Sequence, residues 1–163
     1  MKRWTAIALL LLTVALLCCA CNDANNGEEA NKVYAFQSGE TEIRMNAEAQ
    51  PILEVLGTCL AYSESPSCAF EGMDKVYTYA GFEIETYCLD DVDYIASVQL
   101  LDDSVQTREG ICIGNSAEQV KAIYGEATEE SANALIYRSE GVTLQFLLRD
   151  GTVTNIQYLR SDS

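Results

Sequence analysis

The chain reads twice. Glu42-Ile43-Arg44-Met45 followed by Pro51-Ile52-Leu53-Glu54-Val55-Leu56-Gly57 is matched by Gly110-Ile111-Cys112-Ile113 followed by Gln119-Val120-Lys121-Ala122-Ile123-Tyr124-Gly125, which aligns the two helix-ending glycines, Gly57 and Gly125. Val76-Tyr77 with Gly81-Phe82-Glu83-Ile84 recurs as Ile136-Tyr137 with Gly141-Val142-Thr143-Leu144. Ile95-Ala96-Ser97-Val98-Gln99 recurs, in the same order along the chain, as Val153-Thr154-Asn155-Ile156-Gln157. A repeated unit cannot bury its apolar face alone and is expected to stack against its copy, so the duplication constrains the architecture before any single element is assigned.

Each copy reads as a short strand, a helix and three antiparallel strands. In the second copy Ser116 is placed to cap a helix with Gln119 three residues on, Val120, Ile123 and Tyr124 form an apolar stripe, and Gly125 ends it. In the first copy Pro51 falls in the first helical turn, where its missing N–H costs nothing, and Gly57 closes the helix. Period-two runs follow: Phe82, Ile84, Thr86 and Cys88 share one face, as do Val142, Leu144, Phe146 and Leu148. Ala80-Gly81, Glu140-Gly141 and Asp150-Gly151 mark the hairpins. The expected fold is α+β, with two tandem helix-plus-three-strand repeats (39–105 and 106–163) forming one antiparallel sheet, and two short helices packed on one of its faces.

Ahead of the repeats, Lys2 and Arg3 precede an apolar run from Trp4 to Ala20, the layout of an export signal, so residues 1–20 are expected to leave the mature protein. Leu16-Leu17-Cys18-Cys19-Ala20-Cys21 resembles the bacterial lipobox, in which a small residue precedes the Cys that becomes lipidated. That resemblance implies a lipid on Cys21, with Cys19 as the second choice, and a chain held on the extracytoplasmic face of the cell membrane. Two acyl chains suffice for stable anchoring. Residues 21–38 are expected to be a polar tether carrying the globular domain, 39–163.

Charge and composition remove several functions. The 163 residues carry 25 Asp and Glu against 10 Lys and Arg, a net of −15, and loss of Lys2 and Arg3 would take this to −17. Such a surface repels phosphates, and nucleic acid is not an expected partner. No His is present, which excludes Ser-His-Asp and Cys-His nucleophiles and His-ligated zinc. The mature chain has only Lys32, Lys75 and Lys121 and no S-x-x-K, so a Ser-Lys enzyme has no support. No catalytic residue, metal site or cofactor is expected.

Four cysteines follow Cys21: Cys59, Cys68, Cys88 and Cys112. The first copy is eight residues longer than the second between helix and first hairpin, and Cys59 and Cys68 flank eight residues. The expectation is an inserted loop stapled by a Cys59–Cys68 disulfide, worth roughly 2–3 kcal/mol on a chain-entropy model. Cys88 with Cys112 is a second possible pair, and buried free thiols are the alternative for all four. Their spacing lacks a C-x2-C knuckle and argues against a metal.

Two surfaces merit attention. Glu83, Glu85 and Tyr87 share one face of their strand, and Tyr77 and Tyr79 share a face on its neighbour, so if that face is open to solvent the five form a candidate acidic binding face with aromatic anchors. Ordinary cross-strand packing with solubilising glutamates is the competing reading. Asp90-Asp91-Val92-Asp93 and Asp102-Asp103 offer hard oxygen ligands for a cation, against their use simply as turn formers.

The arrangement resembles the tandem-repeat fold of β-lactamase inhibitory proteins and, per repeat, small envelope lipoproteins of the BamE/SmpA type. Ser67-Cys68-Ala69-Phe70-Glu71-Gly72-Met73-Asp74-Lys75 and Gly110-Ile111-Cys112-Ile113-Gly114-Asn115-Ser116 are also similar to segments of uncharacterised exported lipoproteins of Gram-positive anaerobes. The resemblance brings no catalytic residue. It implies a non-enzymatic binding module for a protein or envelope component, with an envelope-assembly scaffold or a small-ligand or cation sensor as alternatives.

Overall fold

Turns with positive φ cut the chain into hairpins. The computed structural model describes residues 33–68 and 72–161. At Asp150-Gly151 φ is 52° and 75°, and at Asp90-Asp91 it is 51° and 62°, the paired positive values of two-residue turns whose twist suits antiparallel strands. These turns and the helices generate the order β1 (Phe36–Ser38), β2 (Thr41–Ile43), α1 (Ala49–Leu56), β3 (Ala61–Pro66), β4 (Met73–Tyr79), β5 (Phe82–Leu89) and β6 (Val92–Leu100). Then come α2 (Ala117–Tyr124), β7 (Glu129–Ser131), β8 (Ala134–Ser139), β9 (Val142–Arg149) and β10 (Thr152–Arg160).

Among the described residues the fold is α+β: an eight-stranded antiparallel sheet in the order β3-β4-β5-β6-β10-β9-β8-β7, a two-stranded β1-β2 hairpin, and two short helices. Each helix is followed by a meander of four strands, one more than the sequence pattern predicts. The extra strand in the first half is β3, which occupies the segment expected to be a stapled loop. The meanders meet at their last strands, where Val98 faces Tyr158, Gln99 faces Gln157 and Leu100 faces Ile156. The Gln157 amide donates to the Gln99 carbonyl oxygen at 2.6 Å. Register shifts interrupt β6 at Ala96 and β10 at Thr154, positions that match when the two halves are aligned. Near the start of each of these strands an isolated bridge ties in the segment ahead of a helix, Glu48 to Tyr94 of β6 and Ser116 to Thr152 of β10.

One face of the sheet carries the core. Phe82, Ile84, Val98, Leu100, Leu144 and Ile156 are buried there in the same cluster as Ala49 of α1 and Val120 and Tyr124 of α2. Burial of each large side chain contributes about 1.5–3 kcal/mol. Phe36 is 1% exposed and stands across the seam, its ring centroid 4.9 Å from Phe82 and 6.0 Å from Tyr158. Tyr34, Ala35 and Phe36 are core residues, so the domain starts several residues before position 39 and the expected tether is correspondingly shorter. The expected signal segment 1–20 and Cys21 lie outside the described residues. No helix among the described residues is long and apolar enough to cross a membrane.

The helices differ in their caps. Ser116 accepts from the Gln119 N–H at 3.3 Å while the Gln119 side chain accepts from the Ser116 N–H at 2.8 Å, the reciprocal box the sequence predicts. Glu48, at the head of α1, makes no side-chain cap bond. Gly57 and Gly125 end their helices as the sequence predicts, at φ 75° and 81°, where glycine is favoured, and with extended ψ of −152° and −157°.

Candidate functional site

Strand register decides where each predicted site residue goes. Tyr77 is the cross-strand partner of Ile84, and Tyr79 that of Phe82. Directly opposed residues share a face, so both tyrosines lie on the helix-covered side, away from Glu83, Glu85 and Tyr87. The expected five-residue binding face therefore does not exist as one surface. Tyr79 is buried, its hydroxyl directed to the Gly57 carbonyl at 3.4 Å, and burial raises its pKa. Tyr87 is also buried: it stacks on Tyr94, donates to Asn46 Oδ1 at 3.1 Å, and lies under the Arg160 guanidinium at 4.5 Å. Glu83 and Glu85 remain on the side of the sheet opposite the helices, where Glu85 accepts from Ser97.

The cysteine expectations are corrected by the same ladders. All six residues of β3 pair with β4, from Ala61 opposite Thr78 to Pro66 opposite Met73, and this extended strand of about 20 Å lies between Cys59 and Cys68. A disulfide needs Cα atoms within about 7 Å, so Cys59 and Cys68 do not pair. Cys88 faces Asp93 at the start of β6, whereas Cys112 lies in the loop that runs to Gly114, which bonds Val153 beyond the other end of β6; these two are also far apart. All four are free thiols.

The aspartate clusters separate likewise. Asp90 and Asp91 form the β5–β6 turn, Asp93 receives Lys75 Nζ at 2.6 Å, and Asp102 binds the Ser104 N–H just past the far end of β6. The Ser104 bonds hold the Asp102 carboxyl below its usual pKa. Among the described residues no group of three or more Asp, Glu or Cys side chains is placed to hold a metal ion.

What the structure brings together is a surface around α1 that the sequence patterns did not single out. Ala49, Ile52, Leu53 and Leu56 make the i, i+3, i+4, i+7 stripe that seats the helix, which leaves Val55 outside it and 70% exposed. Leu60 is 75% and Tyr62 49% exposed, and the Tyr62 ring sits 5.1 Å from that of Tyr77. Tyr62 and Tyr77 are cross-strand partners, so they form a continuous apolar shelf on β3 and β4 beside the helix. Tyr62 donates to Glu64, a bond to a carboxylate that pushes its pKa up to about 12; burial is the main cause of the rise at Tyr77.

At the inner end of the shelf is an open groove of about 440 Å³. Leu53, Tyr77 and Val92 supply its apolar lining, and Glu48, Glu54, Asp91 and Asp93 its carboxylates. Lys75 bonds Asp93 at its border and in turn has its own pKa raised by that bond. The excess of Val55 over a one-sided stripe was the sequence signal for this surface. A two-residue turn at Ala80-Gly81 equally implies that Tyr79 shares a face with Phe82.

No protein-family model and no curated protein matches the sequence. Among solved structures the chain is similar to the crystal structure of the uncharacterized protein yfeY from Escherichia coli, at 15% identity and a TM-score of 0.45, with 77% of this chain and 97% of that chain covered.

Proposed function

We propose that this chain is a lipid-anchored lipoprotein of the extracytoplasmic membrane face that binds a protein or envelope component and performs no chemistry. The observation that carries the reading is a set of uncovered apolar side chains, Leu60 and Tyr62 on the shelf with Tyr77, and Val55 on α1, close to a groove that Tyr77 also lines. Contiguous exposed apolar surface with a polar rim is costly to keep in water and is characteristic of interaction sites. The export-signal and lipobox pattern at Lys2–Cys21 supports the anchor.

In the same reading, the two helix-plus-meander halves are copies of one unit. It is supported by the reciprocal seam, in which Gln99 and Gln157 pair with each other and Val98 and Leu100 face the counterparts of one another. The matched bulges at Ala96 and Thr154 support it too.

The test is crosslinked capture from membranes with the full-length protein and with a Val55→Ser, Leu60→Ser, Tyr62→Ser variant. The variant is expected to lose the captured component, with a melting temperature within a few degrees of the parent because all three side chains are substantially exposed. Undiminished capture by the folded variant would remove the shelf as the site. Intact mass of the same material checks the lipid on Cys21.

A further inference from the structure

Resting on the binding-module reading, we infer that the shelf and groove beside α1 receive an extended basic segment of a protein partner, with a Lys or Arg side chain in the groove and apolar neighbours on the shelf. The shelf residues Leu60, Tyr62 and Tyr77 offer flat apolar and aromatic area, which suits aliphatic stems and, at the ring faces, a cation. The groove that continues from Tyr77 is lined by both apolar side chains and carboxylates, a mixture that suits the stem and the head of a long cationic side chain.

The charges in the groove are not balanced from within. Lys75 engages Asp93, while Glu48, Glu54 and Asp91 have no basic partner in the described ion pairs. Arg44 and Arg108 are directed to Glu42, Lys121 to Glu130, Arg138 to Glu129, and Arg160 stacks on Tyr87, so these bases serve other regions. The carboxylates are also too dispersed to coordinate a point cation. A long side chain with a spread guanidinium or mobile ammonium fits them better than a metal ion does. The net charge of −15 adds long-range attraction for a basic partner and repulsion for acidic ones.

The test uses full-length protein in detergent and a fluorescein-labelled peptide, Lys-Leu-Lys-Tyr-Lys-Leu-Lys, read by anisotropy at low and physiological salt, beside a peptide with every Lys replaced by Glu. Binding is expected for the Lys peptide only, weakened at least tenfold by Glu48→Gln, Glu54→Gln and Asp91→Asn together. Removal of three charges elsewhere by Glu40→Gln, Asp103→Asn and Glu126→Gln is expected to change it less than threefold. Equal weakening by both triple variants would overturn the inference, since attraction would then be generic. If the Lys peptide does not bind while shelf-dependent capture from membranes persists, the basic-segment inference fails and the binding-module reading stands. If both fail, so does that reading.

Discussion

The helix of the second half seats Val120 and Tyr124 in the core, whereas the helix of the first half buries only Ala49 fully and leaves Ile52, Leu53 and Leu56 partly exposed. Tyr124 is the hub of an aromatic group, with Tyr34, Tyr137 and Phe146 all within about 6 Å of its ring. When the two central hairpins are aligned, the position in β5 that matches Phe146 is Thr86, whose buried hydroxyl has no hydrogen-bond partner. Similar topology thus supports two different packings: α2 sets Val120 and Tyr124 fully into the core while Ile123 stays exposed, and α1 leaves most of its apolar stripe partly open and Val55 exposed. Even the tyrosine that meets the helix-ending glycine differs. Tyr137 reaches Gly125 at 3.1 Å, while in the first half Tyr79 reaches Gly57 and Tyr77, the register counterpart of Tyr137, lines the groove.

The sharpest way to break this contrast is at the matched pair. Phe146→Ala should cost about 3–5 kcal/mol in urea unfolding, because it empties the centre of the aromatic group. Thr86→Val should be neutral or stabilising by up to about 1 kcal/mol, since it replaces an unpartnered buried hydroxyl with a methyl group. A loss at Thr86 comparable to that at Phe146 would show the halves to be packed alike.

Alkaline pH provides a second comparison. Burial raises the pKa of Tyr124 and Tyr158, and raises that of Tyr137 to about 12. The unfolded tyrosines ionise near 10, so the unfolded chain releases protons first and stability must fall as pH climbs from about 10 towards 12. The melting temperature should be level below about pH 9.5 and decline above it, with a shallower decline in Tyr137→Phe. Tyr62 titrates high for another reason, its bond to Glu64, so Glu64→Gln should return its absorbance midpoint towards 10 and, by the same linkage, make the alkaline decline in melting temperature shallower.

The smallest effects are at the helix heads. Ser116→Ala removes half of a capping box and should cost about 1 kcal/mol in chemical denaturation. Glu48→Ser supplies a cap that α1 lacks and should add about 0.5 kcal/mol. A loss from Glu48→Ser would show that Glu48 supports α1 in another way.

Much of the fold was legible because its determinants are local. The Ser116–Gln119 box, the glycine helix ends and the Asp150-Gly151 turn act within four residues, and the alternation in β5 and β9 marks their buried face. Strand β3 was not legible: Ala61-Tyr62-Ser63-Glu64-Ser65-Pro66 has both faces exposed, so no period-two contrast distinguishes it from a loop, and proline at its end is tolerated only because it is an edge. That single omission produced the stapled-loop expectation at Cys59 and Cys68. The binding face was misplaced because relative faces depend on pairing between strands, a non-local property that places Tyr77 and Tyr79 opposite Ile84 and Phe82. The shelf depends likewise on the pairing of β3 with β4, which sets Tyr62 beside Tyr77.

Phe36 gives the molecule a defined mechanical order. It contacts one ring from each meander, Phe82 and Tyr158, and it follows directly on the segment that leads into the domain. Tension on the chain ahead of Val33 would therefore arrive first at Tyr34, held by Tyr124 and Tyr137, then at Phe36 beneath the seam, and would go on to peel the β1-β2 ladder pair by pair. Once that ladder is peeled past Ile43, the load passes through five residues into α1, so the groove that Glu48 and Leu53 line stands next in the order.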